Sequence, residues 1–168
     1  MVAQVISKWC ISSIILFFVA FSFGIGCIVA TYEAEDTRQT ANKYGDTDMS
    51  DNQDYINERN VAVGAGAIAT LLFTIATFCL FYTGVRYKSK GEGDGHMSRG
   101  GLVIAGWVLF CITFILNLVI LVVAFDDDVK PIWPGGVWTA FICNILSWLS
   151  MFGYSEVSRR TYLVKKKK

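Results

Sequence analysis

The chain has 168 residues, 54% of them hydrophobic, and Lys+Arg 15 nearly balances Asp+Glu 14. The charge is segregated: four runs, Trp9 to Thr31, Val61 to Thr83, Gly101 to Phe125 and Gly135 to Tyr154, contain no Asp, Glu, Lys, Arg or His. At 1.5 Å per residue each run is long enough to cross a hydrocarbon core of roughly 30 Å. The lack of any ionisable side chain within them argues against a pump or proton-coupled transporter.

The first run follows Lys8 and is too long for the apolar part of a secretory signal, so it reads as a first span. Cys10 lies at its start, at the depth where S-acylation occurs, although a buried small residue is the commoner role of such a cysteine. Ser13, Ala20, Gly24, Cys27 and Thr31 form its small-residue face. Phe17, Phe18 and Phe21 suit lipid or a neighbouring subunit.

The connector 32–60 carries Glu33, Glu35, Asp36, Asp46, Asp48, Asp51, Asp54 and Glu58 against Arg38, Lys43 and Arg59, and reads as an outer loop. Its oxygen spacing approaches that of a calcium loop, making Asp46, Asp48, Asp51 and Asp54 candidates for weak divalent-cation binding. Asp51 stands where such a loop needs Gly, and Asn57 where it needs the closing Glu. No N-x-Ser/Thr triplet occurs, which removes N-glycosylation.

The second span has a stripe of small residues, Ala62, Gly66, Thr70, Thr74 and Thr77. In lipid, such residues mark close helix contacts, because apolar surface alone cannot drive association there. Phe73 and Phe78 read as outward-facing. The connector 84–100, with Arg86, Lys88, Lys90 and Arg99 around GEGDG, reads as a flexible cytosolic turn. His96 lies in it without a companion ligand, so zinc is not expected.

The third span offers Asn117, expected to hydrogen-bond across helices with Thr113 as a plausible partner, while Leu116 and Leu121 suit lipid. After the outer turn 126–134, marked by Asp126 to Asp128 and by Pro131 and Pro134, the fourth span presents Gly136, Ala140, Asn144, Ser147 and Met151 as its seam. Trp9, Tyr82, Tyr87 and Tyr154 fall near the inner boundary, and Tyr32, Trp133 and Trp138 near the outer one, as amphipathic rings do at headgroup depth.

The tail 155–168 is basic. Arg159 and Arg160 with Lys165, Lys166, Lys167 and Lys168 form either a patch for anionic lipid or, through the lysines, a dilysine retrieval signal for the endoplasmic reticulum. With positive charge at 84–100 and in the tail, both termini are expected in the cytosol of a plasma-membrane or vesicle protein. None of the five cysteines lies in an exposed outer loop, so helix packing rather than a disulfide framework has to hold the fold.

The expected architecture is all-α: one antiparallel four-helix integral membrane bundle. Four spans, a larger first outer loop, a short second one and a brief basic tail resemble the tetraspan group, and TAFICNILSWLSMFGYSEVSRRTY is similar to the end of MARVEL-type physin and gyrin proteins. The claudin pattern of Trp, Gly-Leu-Trp and paired Cys in the first outer loop is absent, as is the Cys-Cys-Gly of tetraspanins. The MARVEL resemblance implies a non-enzymatic protein that associates laterally and organises, shapes or scaffolds membrane. Its expected partners are membrane lipids and either further copies of itself or a larger membrane complex, with no nucleic acid and no cofactor. The alternatives are a pore-forming oligomer, with Asp126 to Asp128 as a cation-attracting mouth, and an accessory subunit of a channel or transporter. No nucleophile, base or metal-ligand constellation beside the spans points to an enzyme.

Overall fold

The computed structural model describes residues 8–45, 52–90, 96–124 and 132–166. They form four helices: α1 (Lys8–Lys43), α2 (Gln53–Lys90), α3 (His96–Ala124) and α4 (Pro134–Lys166). All four are long and apolar enough to cross a membrane.

Helices continue well beyond the apolar runs. Residues 32–43 and 53–60, expected as loop, extend α1 and α2 into a helical hairpin. Arg38 binds the Glu35 carboxylate one turn back at 2.6 and 2.9 Å, and the Thr37 hydroxyl donates to Glu58 across the hairpin at 2.8 Å. Between them Tyr55, 1% exposed, packs with buried Ala34. α1 ends at a turn in which Gly45 has φ +83°, the left-handed geometry that glycine adopts without strain. α2 opens on the cap Asn52, whose Oδ1 accepts the Tyr55 N–H at 3.1 Å, and Asp54 in the first turn suits the positive end of the helix dipole. Pro134 begins α4, where its missing N–H and fixed φ cost nothing.

α2 and α4 form the centre of the bundle. α1 packs on α2, α3 packs chiefly on α4, and α1 and α3 make no contact among the described residues. Gly24 of α1 lies under the Phe141 ring, Gly84 of α2 under the Tyr154 ring, and Gly106 of α3 against Met151. An added Cβ at any of these would overlap its neighbour.

The inner half of the core is aromatic. Phe17 stacks on Trp148 with centroids 4.1 Å apart, and Phe17 also meets Phe73 edge-on at 5.6 Å. Three expected lipid-facing rings are therefore corrected: Phe73 is 1% exposed, and Phe17 and Phe21 pack on the core. In these cases the ring packs on rings of the neighbouring helices: Phe17 on Trp148 and Phe73, and Phe21 and Phe73 on Phe141. Phe18 does face outward, whereas Phe78 and Leu121 are only partly exposed: Phe78 packs edge-on against Trp107 and Leu121 borders the space between the helices. Tyr154, expected at headgroup depth, is 4% exposed beneath Gly84. Trp9 and Tyr82 remain exposed and meet edge-on at 5.6 Å, while at the other end the Trp138 indole donates to the exposed Tyr32 hydroxyl at 3.1 Å.

Candidate functional site

The small-residue seam expected to close two helices together instead lines a cavity of about 330 Å³ between α1, α2, α3 and α4. Of the predicted seam residues, Gly24, Ala62, Gly66, Thr70, Thr74, Asn117, Ala140 and Asn144 all border it. Gly136 does not: it is buried against the Trp133 ring at the start of α4.

The cavity exists because α2 and α3 diverge. At the inner end Trp107 of α3 wedges against Phe78 and Phe81 of α2, each at 5.3 Å, and Ser147 of α4 donates to the Gly106 carbonyl at 2.9 Å. About two to four turns along α2 from Phe78, Thr70, Gly66 and Ala62 present little bulk, and α3 offers Phe110 and Phe114 to the same cavity. Close approach survives only on the α1 side, where a Cβ added to Gly66 would stand 3.0 Å from the Cys27 Sγ. Ile132 and Val137 border the outer end.

Polar side chains are spread along it. Asn144 is 7% exposed and borders the cavity, about 15 Å along α4 from Pro134. Thr74 and Thr70 of α2 border the same half, whereas Asn117 of α3 and Thr31 of α1 lie toward the other end. Asn117 was expected to bond across helices. Its amide N–H₂ instead donates to the Thr113 carbonyl of its own helix at 2.9 Å. Among the described residues no charged group lines the cavity, so it suits neutral, apolar matter.

Near the C-terminal end of α4, Glu156 accepts two hydrogen bonds from Arg159, both 2.8 Å, and one from Arg160 at 2.9 Å. The Arg159 bonds, more than any other influence, hold its carboxyl down at about 2. Two arginines grouped with the tail lysines are thus engaged by a carboxylate, which leaves this trio with one net positive charge. Lys165 and Lys166 belong to the last turn of α4, and Lys167 and Lys168 lie outside the described residues. Cys10 is half-buried beside the cluster of Ala76, Leu80, Trp148 and Met151.

Asp54 is exposed in the first turn of α2, and Asp46, Asp48 and Asp51 lie outside the described residues. Among the described residues no group of three His, Cys, Asp or Glu is placed to hold a metal ion. Sequence reasoning missed the glycine-under-ring contacts and the Ser13–Trp148 pairing, neither of which has a local sequence signature.

Four helices of this length and hydropathy indicate an integral membrane protein. No family model, no curated protein and no solved structure matches the chain.

Proposed function

We propose that this protein is a non-enzymatic membrane organiser. In this reading it is an antiparallel four-helix bundle with both termini in the cytosol of a plasma or vesicle membrane, and it associates laterally to shape or scaffold that membrane. The charge split supports the orientation: Arg86, Lys88, Lys90 and Arg99 lie in the connector 84–100, whereas the hairpin end is rich in carboxylates.

The observation that carries the membrane reading is the set of four helices apolar enough to span a bilayer, and lateral contacts would be made through two exposed flanks on helices that do not touch each other. Ile104, Val108, Ile112, Ile115, Val119 and Val122 make a continuous stripe on α3, and Ile11, Ile15, Phe18, Ile25 and Val29 make one on α1. Two different faces on one bundle allow head-to-tail contacts, which generate rings or open arrays rather than isolated dimers. The test is the mass of the complex released from native membrane, combined with cysteine cross-linking at Ile15 and Val108. Homo-oligomers joined through α1 or α3 are expected. A monomer at every protein-to-lipid ratio would overturn the reading, and a fixed assembly with a larger partner would favour the accessory-subunit alternative.

The pore alternative would route ions past Thr70, Thr74, Asn117 and Asn144. Against it stand the apolar lining and the aromatic wedge of Trp107, Phe78 and Phe81 at the inner end. Liposomes holding the purified protein are expected to show no conductance above empty controls. Cation currents abolished by changing Asp126, Asp127 and Asp128 to Asn would reverse the order of the two readings.

A further inference from the structure

We propose that the cavity is a binding site for a single lipid chain that carries a hydroxyl group near its middle. The inference rests on the helices crossing a membrane and is independent of lateral assembly.

Position limits what can enter. The cavity lies between apolar runs of four helices, so its contents come from the bilayer, and lipid chains are the abundant species there. Its length along α2, from Ala62 to Thr74, is about 18 Å, and its volume of about 330 Å³ is at the small end for ligand sites. One chain fits these dimensions, and a whole two-chain lipid does not. The small wall of Ala62, Gly66 and Ala140 facing Phe114 gives a smooth apolar channel.

A buried amide then sets the chemistry of the chain. Asn144 is more than nine-tenths buried, borders the cavity, and has no side-chain hydrogen bond to another described residue. Its amide offers both a donor and an acceptor, which a hydroxyl matches by accepting one bond and donating the other. The absence of any charged lining residue argues against a carboxylate, phosphate or amine at that depth. A chain entering from the outer boundary meets Asn144 about 15 Å down α4 from Pro134, which places the matching oxygen partway along the chain. An unmodified hydrocarbon chain would leave the amide unanswered, so the site discriminates in favour of the hydroxylated chain.

The experiment uses the full-length protein in phosphatidylcholine nanodiscs containing a trace of phosphatidylcholine with a photoreactive diazirine in one acyl chain. Labelled peptides are mapped by mass spectrometry. Competitors are phosphatidylcholine with one mid-chain-hydroxylated stearoyl group and the same lipid with plain stearoyl. Labelling is expected at Phe114, Thr70 and Asn144, with the hydroxylated lipid competing roughly tenfold better, equivalent to about 1.4 kcal/mol. Asn144→Leu, which keeps the volume and removes the amide, should retain labelling and lose the preference. Equal competition by the two lipids in the parent protein would overturn the proposal. So would labelling confined to the outward face of Ile104 and Val122, or a preference that survives in Asn144→Leu. Should Asn144→Leu not yield a monodisperse protein, the competition in the parent still decides.

Discussion

Trp148 reaches across the bundle from α4 to donate its indole N–H to the Ser13 hydroxyl of α1 at 2.9 Å, and Ser13 in turn donates to the Ala76 carbonyl of α2 at 2.7 Å. A single hydroxyl thereby joins three helices. Ser13 is 0% exposed and Trp148 7%, so neither has water as an alternative partner.

Ser13→Ala removes the hydroxyl and leaves the Trp148 N–H orphaned. Interhelical hydrogen bonds in membranes contribute about 0.6 to 2 kcal/mol, and a loss in that range is expected in detergent or bicelle unfolding. Trp148→Phe should cost less when Ser13 is already Ala, giving a positive coupling in the double-mutant cycle. Ser22→Ala is the control, since the exposed Ser22 hydroxyl only donates to Phe18 of its own helix. Equal effects at Ser13 and Ser22 would remove this pairing from the account of stability.

Gly24 and Gly26 are neighbours on α1 with opposite surroundings. A Cβ on Gly24 would penetrate the Phe141 ring, whereas one on Gly26 meets nothing within 4 Å. Gly24→Ala is expected to destabilise by about 1–3 kcal/mol through overpacking. Gly26→Ala should be neutral or stabilising by up to about 1 kcal/mol, because alanine favours helix. Thermal unfolding of both variants decides whether the α1–α4 contact is as tight as described.

Glu156 links charge near the C-terminal end of α4 to pH. Its carboxyl titrates at about 2 in the folded protein, mainly through the Arg159 hydrogen bonds, below an unfolded value near 4.3. The group binds fewer protons when folded, so its contribution is full above the unfolded value and is lost as pH falls toward about 2. Amide protection in residues 155–164, taken relative to the intrinsic exchange rate at each pH, should therefore fall between about pH 4.3 and 2 in the parent protein, with a smaller change in Glu156→Gln. A carboxyl midpoint near 4 by carbon NMR would show that the arginines do not hold it.

Cysteines introduced singly at Ser50 and Ser98, with the five native cysteines replaced, should react with a membrane-impermeant maleimide from opposite sides of sealed cells. Labelling of both from outside would contradict the even span count inferred from the charge split.

The apolar runs were legible because charge exclusion from a bilayer acts residue by residue, and all four reappear as helices. Their ends were not. α1 runs on to Lys43 because Glu35, Arg38 and Gln39 pair along the helix in water, which hydropathy does not register. Residue size identified the seam lining, since Gly66, Thr70 and Asn144 do come together, but it did not reveal that they face a gap. That gap lies beyond the contact of Trp107 with Phe78 and Phe81, a tertiary fact with no trace in spacing. The same limit misplaced Phe73, whose burial follows from what α1 and α4 present to it.

The helical hairpin gives the acidic end of the molecule a particular reach. From Tyr32 to Lys43, α1 rises about 18 Å beyond its apolar run, more than twice the screening length of about 8 Å in physiological salt. In the proposed orientation the described carboxylates sit low on that rise: Glu33, Glu35, Asp36 and Glu58 stand within about 8 Å of the apolar runs, and Asp54 about 10 Å beyond. Their field therefore overlaps the headgroup layer, so the base of the hairpin forms a negative collar that draws cations to that face of the membrane.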